Sequence, residues 1–139
     1  MDFATEQAVR SRARGLCEYC HAPQAFYPER FQIDHIIALQ HRGETTTENL
    51  ALCCLERNRR KGPNIASVDP QTLVQVSLFH PRRDIWNEHF FWGSALLIGA
   101  TPVGRATVLL LDINRPPRVV VRQALMEEGV FPPADDRRD

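Results

Sequence analysis

Asp34 and His35 are adjacent in the stretch FQIDHIIALQHRGETTTENLALCCLERNRRKG, residues 31–62, and Asn49, Asn58 and Lys61 follow at intervals that packing alone does not require. Their types suit the hydrolysis of a phosphodiester, which needs an activated water and positive charge where negative charge gathers on the phosphate and the leaving oxygen. A neutral imidazole takes a proton near neutral pH, so His35 is the candidate general base. Asp34 and Asn58 carry oxygen atoms suited to a hard cation such as magnesium, which keeps some of its waters and completes its shell with phosphate oxygens. Lys61, with Arg59 and Arg60, would meet phosphates as point charges or forks. His41 lies in the intervening loop and would either touch DNA or cap that loop. Taken singly each feature is ordinary: an Asp-His pair is usually a surface dipeptide, and Asn-x-x-Lys occurs by chance. Their weight comes from their order on one frame of elements.

That frame is strand, loop, strand, helix. FQIDHI alternates enough apolar character to form a strand, NLALC forms a second, and CLERNRRK reads as a helix stopped by Gly62 and Pro63. Consecutive strand residues point to opposite faces, so Asp34 and His35 serve one centre only if the strand bends or ends there. Before this frame a short helix is expected from about Ala4 to Arg14, closed by Gly15 in the left-handed conformation. After it, QTLVQVSLF reads as a strand, and HFFW and ALLI as two more, joined by a two-residue hairpin at Gly93-Ser94 with glycine first. Thr101 and Pro102 are an N-cap and first-turn pair for a helix to about Asp112, with Asn114 near its end. A last helix follows Pro116 and Pro117 and closes at Gly129. Trp86 and Trp92 are expected as buried anchors, and His21, His80 and His89 as structural or exposed.

The chain has 139 residues, 43% of them hydrophobic and 24% charged, with zero formal net charge. Such composition fits one globular α+β domain over residues 1–139 that buries roughly two thirds of its unfolded surface, and argues against disordered, collagenous or membrane classes. The neutral total hides a pattern, since residues 57–61 carry four positive charges and residues 127–139 hold five acids against two arginines. A local basic patch with an acidic tail follows. MDFATEQAVRSRARG lacks an apolar signal core and no run of about 18 apolar residues occurs, so an intracellular, cytoplasmic protein is expected. In a reducing compartment Cys17, Cys20, Cys53 and Cys54 are better read as free thiols or metal ligands than as disulfides.

Cys17-x-x-Cys20, Asp34-His35, Asn49-Leu50, Cys54 and Asn58-x-x-Lys61-Gly62 together resemble the HNH family of metal-dependent endonucleases, over about Leu16 to Ile65. The resemblance implies a ββα-metal core at 16–65 around one divalent cation, magnesium or manganese, with an N-terminal helix before it. The remainder, 66–139, would be a C-terminal extension of a β-hairpin and two helices packed on it. LFHPRRDIWNEHF and TPVGRATVLLLDIN resemble the extension of one prokaryotic subgroup. The resemblance makes Asp34 and Asn58 the metal ligands. It makes Asn49 the residue whose amide holds the loop after the base, and His35, Asn49 and Asn58 the catalytic set. The implied partner is DNA, held by its phosphate backbone. One such site cuts one strand at a time, which leaves open whether two chains pair as a homodimer.

One part departs from the pattern. Many relatives carry a second Cys-x-x-Cys, giving four thiolates for a structural zinc, but here the sequence runs Cys54-Leu-Glu-Arg57. Guanidinium offers no lone pair, so Cys17, Cys20 and Cys54 remain as a residual zinc set. His21, Cys53 or His41 would supply a fourth ligand; otherwise the cysteines are small buried groups without zinc and stability rests on the C-terminal layer. Two other readings stand beside the nuclease: a non-catalytic nucleic-acid-binding or assembly module on a degenerate frame, and a small protein whose cysteines bind zinc or sense redox state.

Overall fold

In the computed structural model, which describes residues 1–137, Asp2 opens the first helix. Its Oδ1 accepts from the Thr5 amide at 2.8 Å, and α1 runs over Phe3–Ala13 with Glu6 in its first turn and Arg10 and Arg12 in its last. Those charges oppose the helix dipole at each end. The left-handed closing residue is Arg14, φ 53°, one position before the expected Gly15, which itself follows at φ 74°. The described residues divide into two compact units, Met1–Ile65 with His80–Asp84, and Ala66–Phe79 with Ile85 onward. Mixed helices and, among the described residues, three two-stranded antiparallel sheets make the fold α+β. No helix among the described residues is long and apolar enough to cross a membrane.

In the first unit, β1 (Gln32–His35) pairs with β2 (Leu50–Cys53) in the register Asp34 to Ala51 and His35 to Leu50. β2 is buried along its whole length, as its uninterrupted apolar sequence requires. Two guanidinium groups fasten α1 to this ribbon: Arg10 donates to the Phe31 carbonyl at 2.9 Å and Arg12 to the Leu50 carbonyl at 2.7 Å. Glu18 takes the other free groups of β2, its amide donating to the Leu52 carbonyl at 2.9 Å and its Oε2 accepting from the Leu52 amide at 2.8 Å. Glu18 also pairs with Arg82, in the turn His80–Asp84 where the Arg82 and Arg83 amides both donate to His80 Nδ1 at 3.2 Å. After β2 the chain turns at Cys54 into α2, Leu55–Lys61, which stops at Gly62 with φ 49° and ψ −138°. A side chain resists that conformation, so glycine ends the helix where the sequence placed its stop.

The second unit departs further from its sequence expectations. Ala66–Val68, too short to signal a strand, is β3, paired with β4 over Gln75–Ser77. The expected strand from Gln71 starts only at Gln75 because the buried Asp69 carboxylate gathers the Gln71 amide at 3.1 Å and the Thr72 hydroxyl at 2.8 Å into a turn. Residues Trp86–His89 form the short helix α3, so the next strand, β5, begins at Phe90 and pairs Gly93 with Leu96 of β6, Leu96–Gly99. The two-residue loop is therefore Ser94-Ala95, with Ser94 at φ 52°, and Gly93 closes the ladder. Trp86 and Trp92 are half-buried rather than core anchors; Trp92 keeps its indole N–H on Asp136 Oδ2 at 3.1 Å, with Arg122 over its ring. Thr101 caps α4 (Pro102–Leu110) through the Gly104 amide at 3.0 Å. Asn114 lies beyond that helix, exchanging two 2.9 Å bonds with the backbone of Leu97. α5, Pro116–Glu127, supplies Arg122, which donates to the Ala95 and Ile113 carbonyls and to Asn114 Oδ1.

Arg105 on α4 grips Asp69 with both Nε and Nη2 at 2.9 Å, and this pairing holds the Asp69 carboxyl well below the usual carboxylate range. A folded value below the unfolded one means stability that is fully present above the ordinary carboxylate range and is lost as pH falls toward the folded value. The melting temperature is therefore expected to decline on acidification, and Asp69→Asn to melt lower at neutral pH with a flatter acid profile. Calorimetry from neutral to strongly acidic pH checks this; parallel curves for the two proteins would refute it.

Candidate active site

Gln32 and Asp34 are two residues apart on β1 and share one of its faces, while Asn58 and Lys61 are three apart on α2 and share one of its faces. The two faces meet. Asn58 Nδ2 donates to Gln32 Oε1 at 2.7 Å, and Lys61 Nζ donates to Asp34 Oδ2 at 3.2 Å and to the His35 carbonyl at 3.1 Å. Because the amide nitrogen of Asn58 is engaged, Oδ1 is the atom it can offer a cation, alongside the carboxylate of Asp34. A carboxylate and an amide oxygen are a donor set that fits a hard divalent ion retaining water.

The structure parts Lys61 from the arginines it was grouped with. Its side chain is 2% exposed, whereas Arg59 and Arg60 are exposed on the outer side of α2. Helical period explains the split, since Arg57, Asn58 and Lys61 fall on the inward side and positions 59 and 60 cannot join them. Lys61 thus holds Asp34 and the end of β1 instead of facing solvent. His41 is exposed at the end of a single turn, Leu39–His41, next to Arg42 in the left-handed conformation.

β1 ends at His35, as the adjacency of Asp34 and His35 demanded. The His35 ring is fixed from outside the strand by a hydrogen bond of 2.9 Å between Nε2 and Thr45 Oγ1. Thr45 belongs to the loop that Asn49 clamps: Asn49 Oδ1 accepts from the Ile37 amide at 2.9 Å, and Nδ2 donates to the Ile37 carbonyl at 2.9 Å and the Glu44 carbonyl at 2.8 Å. Gly43 lets the loop pass this close, since a Cβ there would collide with the Ile37 carbonyl. Sequence reasoning missed Thr45 and Gln32. Neither falls at a diagnostic spacing, and only the register of the ribbon and the closure of the loop bring them to the site.

The cysteines form a second cluster in the same unit. The sulfurs of Cys17, Cys20 and Cys54 all lie within 4.8 Å of one another, the last two 3.9 Å apart, and the residues are 0%, 4% and 8% exposed. His21, Cys53 and His41 stand outside that three-residue group. Burial works against ionising Cys17, but hydrogen bonds from Cys20, Cys53 and Cys54 together bring its thiol well below the ordinary range. Cys20 is pushed up to about 12, chiefly by its bond to Cys17, with the nearby Arg57 charge pulling the other way. Arg57 is 1% exposed, and its Nη2 lies 3.1 Å from Glu56 Oε2.

Comparison with known proteins supports the sequence resemblance at the level of the domain. Residues 17–64, which hold the cysteine cluster, the ribbon and α2, match the family model described as HNH endonuclease. No curated protein matches the chain.

Proposed function

From the HNH endonuclease domain at residues 17–64, we propose that this protein is a metal-dependent endonuclease that hydrolyses DNA phosphodiester bonds. The observation that supports the reading is that α2 faces β1, Asn58 bonding Gln32 and Lys61 bonding Asp34 two residues along, with His35 at the end of the same strand. Asp34 and Asn58 would hold one divalent cation, magnesium or manganese, which supplies positive charge to the phosphate and the departing 3′ oxygen. His35 acts as general base. With Nε2 engaged by Thr45, Nδ1 is the ring nitrogen left to take a proton from water. Lys61 fixes the rotamer of Asp34, and Asn49 holds the loop that carries Thr45, so both position the reacting groups without touching substrate. Arg59, Arg60 and His41, all exposed, contact the phosphate backbone.

Lys61 also supports a second reading. Its ammonium already neutralises one oxygen of Asp34, which suits a nucleic-acid-binding module that has given up turnover. A supercoiled plasmid separates the two. The nuclease reading expects nicked circles in magnesium or manganese, none with a chelator, and binding that weakens steeply with salt. Salt-sensitive binding without nicking in either metal would sink it and favour the second reading.

A further inference from the structure

The spacing that would give a fourth thiolate ends on Arg57, and the structure shows what that residue does there. It lies in the first turns of α2, three residues after Cys54 and on the same side of the helix. Its side chain is 1% exposed, yet Nε and Nη2 have no hydrogen-bond partner. Glu56 Oε2 approaches Nη2 at 3.1 Å without hydrogen-bond alignment, and Glu56 retains 15% exposure. A buried guanidinium with orphaned donors is costly unless a further acceptor completes it. Beyond Glu56, the electron-rich group on this side of the helix is the sulfur cluster, to which Cys54, three residues before Arg57, belongs and where the Arg57 charge is felt at Cys20.

The cluster has the dimensions of a metal site. Sulfurs bound at about 2.3 Å to one tetrahedral ion stand ~3.8 Å apart, and Cys20 and Cys54 already lie at 3.9 Å with Cys17 within 4.8 Å of both. Four thiolates around a divalent ion carry two net negative charges, which a buried site must balance. Three carry one, which the fully buried Arg57 guanidinium offsets while its other partner, Glu56, keeps 15% of its side chain in solvent. Metal-bound sulfur also accepts hydrogen bonds, which would complete the Arg57 donors.

Taking Cys17, Cys20 and Cys54 as the residual metal set that the family resemblance implies, we propose that Arg57 stands on its fourth side as a hydrogen-bonding counter-ion that does not ligate, so that one soft or borderline divalent cation is held by three thiolates. Binding takes all three sulfurs as thiolates, so each cysteine still protonated exchanges its proton for the cation and releases that proton to solvent. The guanidinium has no lone pair, so the site favours ions content with three sulfur ligands over those demanding four. Arg57 takes over by charge part of what a fourth thiolate would do by bonding.

The test uses the full chain, stripped of metal and kept reduced, titrated with cadmium and with zinc while the thiolate-to-metal absorption is followed. One equivalent of cadmium is expected, with the absorbance of three thiolates, and Cys53→Ser should leave stoichiometry and spectrum unchanged. Arg57→Met should weaken binding at least tenfold by removing the counter-charge. Arg57→Cys should strengthen zinc binding at least tenfold and raise the absorption to that of four thiolates. The proposal is overturned if the native chain binds no equivalent, if Arg57→Met binds as tightly as the native chain, or if Cys53→Ser loses the site. The native titration decides even where a variant does not fold. Since the readout is metal content and spectrum, it is independent of whether the protein cleaves DNA.

Discussion

Replacing His35 by alanine is expected to reduce plasmid nicking by ~10²- to 10⁴-fold, the range a positioned general base contributes. The variant should keep its fold, because the ring is half-buried and its hydrogen bond runs to Thr45, itself in a loop held by Asn49. DNA binding should persist as well, since the exposed arginines 59 and 60 lie on α2 and are untouched. The discriminating measurement is the rate of nicked-circle formation in magnesium, compared at equal melting temperature and equal salt-dependent affinity. A rate equal to that of the native protein would remove His35 from the chemistry, and a variant that no longer binds DNA would show that the ring serves the interface instead.

Asn49→Ala should be the most damaging single change to the architecture of the site. The side chain is 9% exposed and makes three hydrogen bonds, to the Ile37 amide, the Ile37 carbonyl and the Glu44 carbonyl. Alanine leaves those backbone groups without partners in a tight loop, at a cost of ~2–4 kcal/mol. A fall of roughly 5–15 °C in melting temperature is expected for a chain of this size. Nicking should fall with it even well below the melt, because Thr45 sits in the loop that Asn49 clamps and Thr45 fixes the His35 ring. Asn49→Asp keeps the acceptor for the Ile37 amide and loses both donations, so it should lie between. A melting temperature within a degree of the native value would show that the loop does not depend on this clamp.

Much of the core frame was legible because its signals are local. Apolar alternation in FQIDHI, the apolar run in NLALC and the Gly62-Pro63 stop each depend on a few neighbouring residues, and the elements fall where those signals put them. The end of β1 at His35 followed from the two-residue period of a strand together with the premise that Asp34 and His35 serve one centre. The fate of Lys61 was not legible in the same way. Four basic residues within five positions read as one patch until helical phase divides them, and phase acquires meaning only when β1 supplies Asp34 as a partner. Thr45 and Gln32 depend on loop closure and strand register, which leave no mark at fixed spacing. In the second unit, Asp69 overrode a plausible strand by gathering its own turn, and Ser94 adopted a positive φ where glycine was expected to. In both cases local bonding or strand register decided against residue preference.

The manner in which β2 is flanked has a consequence for the behaviour of the protein in solution. A two-stranded ribbon has two open margins, each a template on which another chain can align and begin to aggregate. Here the Leu50 carbonyl is occupied by Arg12, and both backbone groups of Leu52 are occupied by Glu18. The most apolar strand of the domain thereby has three backbone groups on the side away from β1 already engaged, and a stranger's backbone finds little there to pair with.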